Sequence, residues 1–562
     1  MLKMIAKKGV SSGFLVSLFV LLLVLFVRVT RGLDLSDEMQ YYGEIKGLLE
    51  SGKLFSNDLF FQQSVYVLFY PAFYIYHLVF GFEGLVFFGR LLMSTLTIVV
   101  FFFAYNKLVS LKFSRWAAGI TALSLSFAIP FHGVFALSYN TVSQVVWIIF
   151  ALKYFEWKRG GEISFAIVTI VIAFAHPTSA LVMSALIIGR YAVEKQFKAI
   201  GKVLLVFLGG IFVALTVVLY FASLQDYFDS LSFSSGYGVG ETFFSNTYQQ
   251  VVLVGIYLLF GLLSIIWRRI QWLNYPMTAM LLLVMAIISS VTGLLNGAYA
   301  IRVVYVLSVL SAFAYAWSLS NTKTDDGEYR SKIQWLVVLL LTYLTTLGIT
   351  SGNGIGQSTG AFMVGLPILL GLAVTLAREK QGNENFTIPH VGGVVLVCIL
   401  FVVNWSIYPY RESSWWHANK SIDSVREYKF INSTEERVEF ITGMQKLLGP
   451  NVHSKRTLLV SEYPALYSIL DTKTETCMLY MHSLTSDKSE DILLDCLSKK
   501  SPEIIVDILS NRSIAKRDSR IKVTLKSYYQ QLGFQCVTKS IDVLTGRDSN
   551  EHLDISICQK GV

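Results

Sequence analysis

Two neighbouring acidic residues, Asp37 and Glu38, stand in a short polar stretch that follows the first hydrophobic segment of the chain. Acids in this position could do chemistry, because a carboxylate can take the proton of a hydroxyl group while its oxygen attacks an electrophilic carbon. They could instead only stabilise a helix. Ser36 can cap a helix start, and negative charge in the first turn interacts favourably with the helix dipole. The sequence predicts such a helix, ending at Ser51-Gly52, and the choice between the two roles depends on the elements that position it.

The composition indicates a membrane protein. The chain has 562 residues, of which 54% are hydrophobic and 15% are charged, whereas soluble domains carry about 25% charged residues. Apolar stretches long enough to cross a bilayer recur up to residue 408. In a membrane protein, an excess of Lys and Arg such as this net charge of +9 mainly reflects which loops face the cytoplasm. We therefore expect no nucleic-acid partner.

About thirteen membrane-spanning helices are predicted. The first is expected to be retained, because no small-residue cleavage site follows it. The predicted spans are 12–30, 84–105, 116–134, 140–156, 163–176, 178–194, 203–222, 249–267, 275–295, 299–319, 334–351, 360–377 and 389–408. With these spans every cluster of Lys and Arg falls on the side of the N-terminal lysines, and the loops 131–139, 223–248 and 351–359 contain neither residue. The positive-inside rule then predicts a cytoplasmic N-terminus.

This topology makes 31–83 the first outer loop, which carries the two acids. Its aromatic-rich part, 64–80, is typical of a helix that lies at the membrane surface. If 64–80 instead crosses the bilayer, the topology of everything downstream is inverted.

Isolated polar residues at the predicted outer ends of helices are the other candidates for a site, since such groups are costly in a membrane. Arg302 and Arg90 could bind an anionic partner such as a lipid phosphate, although Arg90 could equally extend its side chain to the interface. His176 could be a buried core histidine, and the acids of 226–241 could belong to a solvated loop. The candidates for the substrate cavity are Tyr41, His132, Tyr139, Asn140, His176 and Glu241.

Residues 409–562 are more polar and form a second predicted unit, a small α/β domain outside the cytoplasm. Helix-like pieces alternate with β-rich runs. The predicted helices are Glu435–Leu448, Ser489–Lys499 and Val523–Leu532, and the predicted strands are Thr457–Val460, Glu503–Ile508, Cys536–Val543 and Leu553–Cys558. The segment contains no phosphate-binding loop, no metalloprotease motif and no hydrolase nucleophile motif. We expect it to cover the membrane site or to select an acceptor.

Four of the five cysteines lie in this second unit. An even number of cysteines outside the cytoplasm allows two disulfides with three possible connectivities. We favour the pairs Cys477–Cys496 and Cys536–Cys558, and four free thiols in a small core is the alternative.

An acidic pair outside the membrane, with arginines at the level of lipid phosphates, favours glycosyl transfer. One carboxylate would deprotonate an acceptor hydroxyl as it attacks the anomeric carbon of a sugar. The leaving group would be a lipid phosphate, whose charge an arginine or a divalent metal can stabilise. Nucleotide sugars are not expected on the outer side, so the donor would be a polyprenyl-phosphate sugar.

Several short motifs resemble the first outer loop and second helix of GT-C glycosyltransferases. They are Asp37-Glu38-x-x-Tyr41, Leu48-Leu49-Glu50-Ser51-Gly52, Leu78-Val79-Phe80-Gly81 and Gly89-Arg90-Leu91-Leu92-Met93-Ser94. The resemblance covers roughly residues 10–160 and is greatest to the protein O-mannosyltransferases and the lipid A aminoarabinose transferases. It implies that Asp37 is the catalytic base and Glu38 its companion, on a GT-C transmembrane domain over 1–408.

The chain departs from this group at two places. Phe61-Gln62-Gln63-Ser64 stands where the group often has a Lys-Pro-Pro-like segment, and Ser138-Tyr139-Asn140 stands where many members have an acid. A second acid or a metal site therefore does not carry over, and a divalent metal, if one is used, would be held by Asp37 and Glu38.

The leading prediction is a membrane glycosyltransferase of the bacterial inner membrane, with its active site and 409–562 in the periplasm. It would use a polyprenyl-phosphate sugar and a glycan, lipid or protein acceptor, with Arg302 and Arg90 on the donor phosphate. One alternative is a polysaccharide polymerase or O-antigen ligase that uses a lipid-diphosphate donor. A transporter or flippase is less favoured because no internal repeat is found, and a non-catalytic subunit is a further alternative.

Overall fold

The computed structural model describes residues 11–130, 134–156, 161–235 and 414–560, except 454, 462, 473–476, 478, 480–486, 501, 511–524, 526, 529 and 545–549. The predicted spans from 249 to 408 lie outside the described residues. So do His132, Glu241 and Arg302. The predicted number of thirteen spans therefore stays a prediction.

The described part of the first 235 residues is helical. Its α-helices are α1 (Ser12–Thr30), α2 (Asp37–Ser51), α3 (Tyr70–Phe80), α4 (Leu85–Ser110), α5 (Arg115–Phe127), α6 (Tyr139–Glu156), α7 (Glu162–Ala175), α8 (Pro177–Val193), α9 (Phe197–Phe221) and α10 (Leu224–Ser235). Among the described residues, α1, α4 and α9 are long and apolar enough to cross a membrane, and α7 and α8 are shorter apolar helices. The protein is thus a helical membrane protein.

The predicted spans agree with these helices in position but not always in length. The helix α5 ends at Phe127, whereas the sequence predicted a span to 134. Pro130 explains the early end, because proline lacks an N–H and disfavours helical backbone at the residue before it. In contrast, α4 and α9 are longer than predicted, since they continue to Ser110 and begin at Phe197.

The aromatic-rich segment of the first loop forms two short helices, a 3₁₀ helix (Phe61–Leu68) followed by α3. The 11 residues of α3 rise about 16 Å, which is too short to cross a hydrocarbon core of about 30 Å. Ile75, Leu78 and Val79 point outward and are about two-thirds exposed. This agrees with a helix lying at a membrane surface, and α3 by itself is too short to be the alternative spanning helix.

Part of the predicted outer loop 223–248 is also helical, which the sequence analysis did not predict. Ser223 and Asp226 cap α10 reciprocally: the Asp226 N–H donates to Ser223 Oγ (3.1 Å), and the Ser223 N–H donates to Asp226 Oδ2 (3.2 Å). This is a capping box with the acid three residues after the serine, and it was visible in the sequence.

The described residues from 414 onward contain both strands and helices. They are β1 (Lys420–Ser421), β2 (Asn432–Ser433), α11 (Glu435–Val452), β3 (Thr457–Val460), a single-turn helix (Leu466–Ile469), α12 (Asp487–Lys500), β4 (Ile504–Ser510), β5 (Phe534–Leu544) and β6 (Asn550–Lys560). Four strands form one sheet in the order β3-β4-β6-β5, in which β3 and β4 are parallel and the other neighbours are antiparallel. The predicted helix 523–532 lies only partly within the described residues.

Both favoured disulfides are present. Cys477 bonds to Cys496, and Cys536 bonds to Cys558 across the antiparallel pair of β5 and β6. The prediction of these two pairs is confirmed.

This C-terminal part packs directly on the acidic stretch of the first loop. The Gly32 N–H donates to the Asn432 carbonyl (2.9 Å), and the Ala465 N–H donates to the Leu35 carbonyl (3.2 Å). The Lys46 ammonium of α2 also forms a buried ion pair with Glu427 at 2.9 Å. The helix that carries the two acids is therefore held between the apolar helices and the C-terminal part.

Candidate functional site

The start of α2 is capped by Asp34. Its Oδ1 accepts hydrogen bonds from the N–H (3.0 Å) and the hydroxyl (2.5 Å) of Ser36, and its Oδ2 accepts from the Glu38 N–H at 3.1 Å. The prediction that the Ser36 side chain caps the helix is wrong, because the serine hydroxyl donates its hydrogen bond to Asp34 and accepts none from the helix. The Asp34 N–H also donates to Glu38 Oε2 at 3.4 Å. Asp34 and Glu38 thus each accept a hydrogen bond from the backbone N–H of the other, as in a capping box.

Glu38 and Arg90 form a fully buried bidentate ion pair. Arg90 Nε and Nη2 donate to the two carboxylate oxygens of Glu38, both at 2.7 Å. The remaining Arg90 N–H groups donate to three backbone carbonyls that precede the acids, those of Arg28, Arg31 and Gly32. Both side chains are 0% exposed.

This arrangement assigns Arg90 and Glu38 a different task from the one predicted. The sequence analysis predicted that Arg90 binds the phosphate of the donor and that Glu38 orients the substrate or binds a metal. In the structure every N–H of the Arg90 guanidinium is used by Glu38 and the carbonyls of α1 and its exit. The pair therefore fixes the turn that carries Asp37.

Asp37 lies beside a cluster of aromatic and polar side chains from three helices. Tyr41, one turn further along α2, meets the Tyr139 ring edge-on at 6.0 Å and accepts a hydrogen bond from Asn140 Nδ2 at 3.4 Å. Tyr139 in turn contacts the ring of His176 at 5.3 Å. Burial, followed by the nearby Tyr139 and the charge of Asp37, raises the pKa of the Tyr41 hydroxyl well above its usual value, so this group stays neutral.

The structure thus brings together four of the residues predicted for a substrate cavity, Tyr41, Tyr139, Asn140 and His176, next to the predicted base. Asp37 itself is half-buried, in contrast to the buried Glu38. An aspartate in the first turn of a helix and close to two phenol hydroxyls can accept a proton from the hydroxyl of a substrate bound there.

A second acid pair was missed by the sequence analysis. Glu44 and Asp58 are both buried, and the Gln40 amide donates to each of them, at 3.1 Å and 3.5 Å. Burial raises the pKa of Asp58 to about 7, and burial together with the charge of Asp58 raises that of Glu44 well above its usual value. The folded protein therefore holds a proton that the unfolded chain releases above about pH 4. The stability this provides is present at low pH and is lost as the pH rises through 7.

Within the described ranges no group of three or more His, Cys, Asp or Glu side chains could hold a metal ion. The predicted metal pair consists of Asp37 and Glu38, and Glu38 is already occupied by Arg90. No protein-family model matches the chain, and no curated protein matches it.

Proposed function

We propose that the protein is an integral-membrane glycosyltransferase of GT-C type that moves one sugar from a polyprenyl-phosphate donor to an acceptor hydroxyl. The observation that carries the proposal is the position of Asp37. Its neighbour Glu38 is fixed by Arg90, and its charge acts on the hydroxyls of Tyr41 and Tyr139, the second of which contacts the ring of His176. Rings of this kind suit a sugar, whose C–H faces pack on aromatic surfaces while its hydroxyls seek polar groups.

In the proposed reaction Asp37 takes the proton of the acceptor hydroxyl. The acceptor oxygen forms a bond to the anomeric carbon, and the bond between that carbon and the phosphate oxygen breaks. The electron pair of the broken bond stays on the phosphate, so the products are the glycosylated acceptor and polyprenyl phosphate. Glu38 and Arg90 act as positioning residues, because they hold the turn and use their polar groups on each other and on its backbone.

An outer location of this site is supported by the disulfides. Residues 414–560 carry two disulfides, and such bonds persist in oxidising compartments. The same residues pack on the acidic stretch through Asn432 and Ala465, so both belong on one side of the membrane. We therefore propose that Asp37 and an α/β domain over 409–562 face the periplasm of a bacterial inner membrane.

The test is sugar transfer in proteoliposomes supplied with radiolabelled polyprenyl-phosphate sugars and acceptors from the cell envelope. Asp37→Asn should lower transfer by at least about 100-fold, the contribution typical of a general base. Asp491→Asn is the matched control, because Asp491 is an exposed aspartate of α12, and it should leave transfer unchanged. Near-full activity of a folded Asp37→Asn variant would refute the assignment. Transfer from lipid-diphosphate donors only would favour the polymerase or ligase alternative.

A further inference from the structure

The junction of α7 and α8 places a helix start beside the proposed site. The His176 N–H closes α7 by donating to the Ile172 carbonyl at 2.7 Å, and Pro177 begins α8. The first amide of α8 with an intrahelical partner is that of Ala180, which donates to the His176 carbonyl. Pro177 has no N–H, so the amides of the two residues between are turned outward at the positive end of a 17-residue helix.

Two buried side-chain groups at this helix start have no hydrogen-bond partner among the residues that the structure describes. They are Nε2 of His176, which is 9% exposed, and Oγ of Ser179, which is 0% exposed. His176 is the N-cap and Ser179 the third residue of α8, and the side chains at these two positions are neighbours at a helix start, as in a capping box. A buried polar group without a partner costs free energy, and such groups are rare in folded proteins. Two of them at one helix start indicate that a ligand completes the site.

The chemistry of the site selects an anion. A hydroxyl, an imidazole nitrogen and outward amide N–H groups can all donate hydrogen bonds, and the helix dipole favours negative charge at this end. A tetrahedral phosphate can accept from several of these donors at once. Arg90, which the sequence analysis expected to bind phosphate, already makes five hydrogen bonds to Glu38 and to backbone carbonyls, whereas the donors of this junction are available.

Two observations favour a lipid as the source of the phosphate. His176 contacts Tyr139, and the charge of Asp37 acts on the hydroxyl of the same tyrosine, so the junction and the proposed base both lie close to Tyr139. The outward faces of α7 and α8 are apolar, with Ile163 and Leu181 more than half exposed. A polyprenyl chain could lie along such a surface while its phosphate reaches the helix start.

We propose that the N-terminus of α8, with His176 Nε2 and Ser179 Oγ, binds the phosphate group of a lipid-linked donor. This rests on the proposed function for the identity of the lipid. The sugar attached to that phosphate then lies against Tyr139, between the phosphate and Asp37.

The binding test uses the full-length protein in nanodiscs with polyprenyl phosphate, and with inorganic phosphate as a separate probe. Ser179→Ala and His176→Phe should each weaken polyprenyl-phosphate binding by about 10-fold or more, as expected for loss of a hydrogen bond to a charged group. His176→Gln restores a donor and should recover part of the affinity. Ser184→Ala is the matched control on α8, because that hydroxyl already donates to the Ala180 carbonyl at 2.8 Å.

A second measurement separates ligand binding from folding. Because the Ser179 hydroxyl has no partner in the free protein, Ser179→Ala should leave the thermal stability of the ligand-free protein unchanged or raise it, while it removes the stabilisation by polyprenyl phosphate. Unchanged lipid binding in both Ser179→Ala and His176→Phe overturns the inference. If inorganic phosphate binds as tightly as polyprenyl phosphate, the inference that the phosphate belongs to a lipid is refuted.

The outcomes also separate this inference from the proposed function, because binding is measured without sugar transfer. Loss of transfer in Asp37→Asn with normal lipid binding in the junction variants supports the function and refutes the phosphate site. Full transfer in Asp37→Asn, together with weakened lipid binding in the junction variants, supports the phosphate site and refutes the proposed function.

Discussion

Replacement of Arg90 tests whether this arginine supports the turn or binds substrate. Arg90→Met leaves the Glu38 carboxylate buried without a counter-charge and three backbone carbonyls without their donor. Breaking a buried ion pair in this way costs about 3–5 kcal/mol. Arg90→Lys keeps the charge but loses the planar fork that makes two parallel bonds to Glu38, so we expect an intermediate loss.

Equilibrium unfolding in mixed micelles measures these losses. Arg456→Met is the control, because Arg456 pairs with Glu503 at 3.3 Å on the surface, where both side chains are about half exposed. It should cost no more than about 1 kcal/mol. The double variant Glu38→Gln with Arg90→Met should be less destabilised than the sum of the two single variants, since it removes the uncompensated charge.

Transfer kinetics complete the test. If Arg90 only holds the turn, Arg90→Lys lowers kcat and leaves the KM for the lipid donor near the wild-type value. A stability of Arg90→Met within about 1 kcal/mol of wild type, together with a large increase in donor KM, would show that the arginine binds phosphate and that the structural reasoning is mistaken.

Three further predictions concern α2. The wild-type protein should be more stable at pH 5.5 than at pH 8, because burial raises the pKa values of Glu44 and Asp58. Glu44→Gln combined with Asp58→Asn should remove this dependence in thermal unfolding scans, and stability that rises over this range contradicts the prediction. Lys46→Met should cost less than the about 3–5 kcal/mol of a stranded buried charge, because Arg426 still reaches the Glu427 carboxylate at 3.4 Å. It should also speed proteolytic release of the C-terminal part, and an unchanged proteolysis rate would show that the pair is dispensable for docking. Asp34→Ala should destabilise by about 1–2 kcal/mol and Ser36→Ala by clearly less, since the aspartate makes the cap; equal losses in the unfolding assay would falsify this.

The sequence by itself determined the class of protein and the local elements. The first span ends at Thr30, and α2 ends at Ser51 before a left-handed Gly52, as predicted. The strand Thr457–Val460 was predicted residue for residue. These features depend on hydropathy over one segment, on helix-ending glycine and on β-branched runs, all of which are properties of neighbouring residues.

Only the tertiary structure decided what each polar side chain does. Arg90 meets Glu38 across 52 residues, and Asp58 meets the Gln40 and Glu44 face of α2 across a bend in the first loop. The side chain of Asp34 caps α2, although Ser36 has a suitable side chain and stands directly before the helix.

The physical reason lies in desolvation. A charged group removed from water must take whatever partner the packing supplies, and the packing is set by many apolar contacts far from that group in sequence. Asp37 and Glu38 are neighbours of similar chemistry. Glu38 is buried in an ion pair with Arg90, whereas Asp37 is half-buried beside Tyr41 and Tyr139. The sequence determines that the turn is acidic, and the fold decides which acid can serve a substrate.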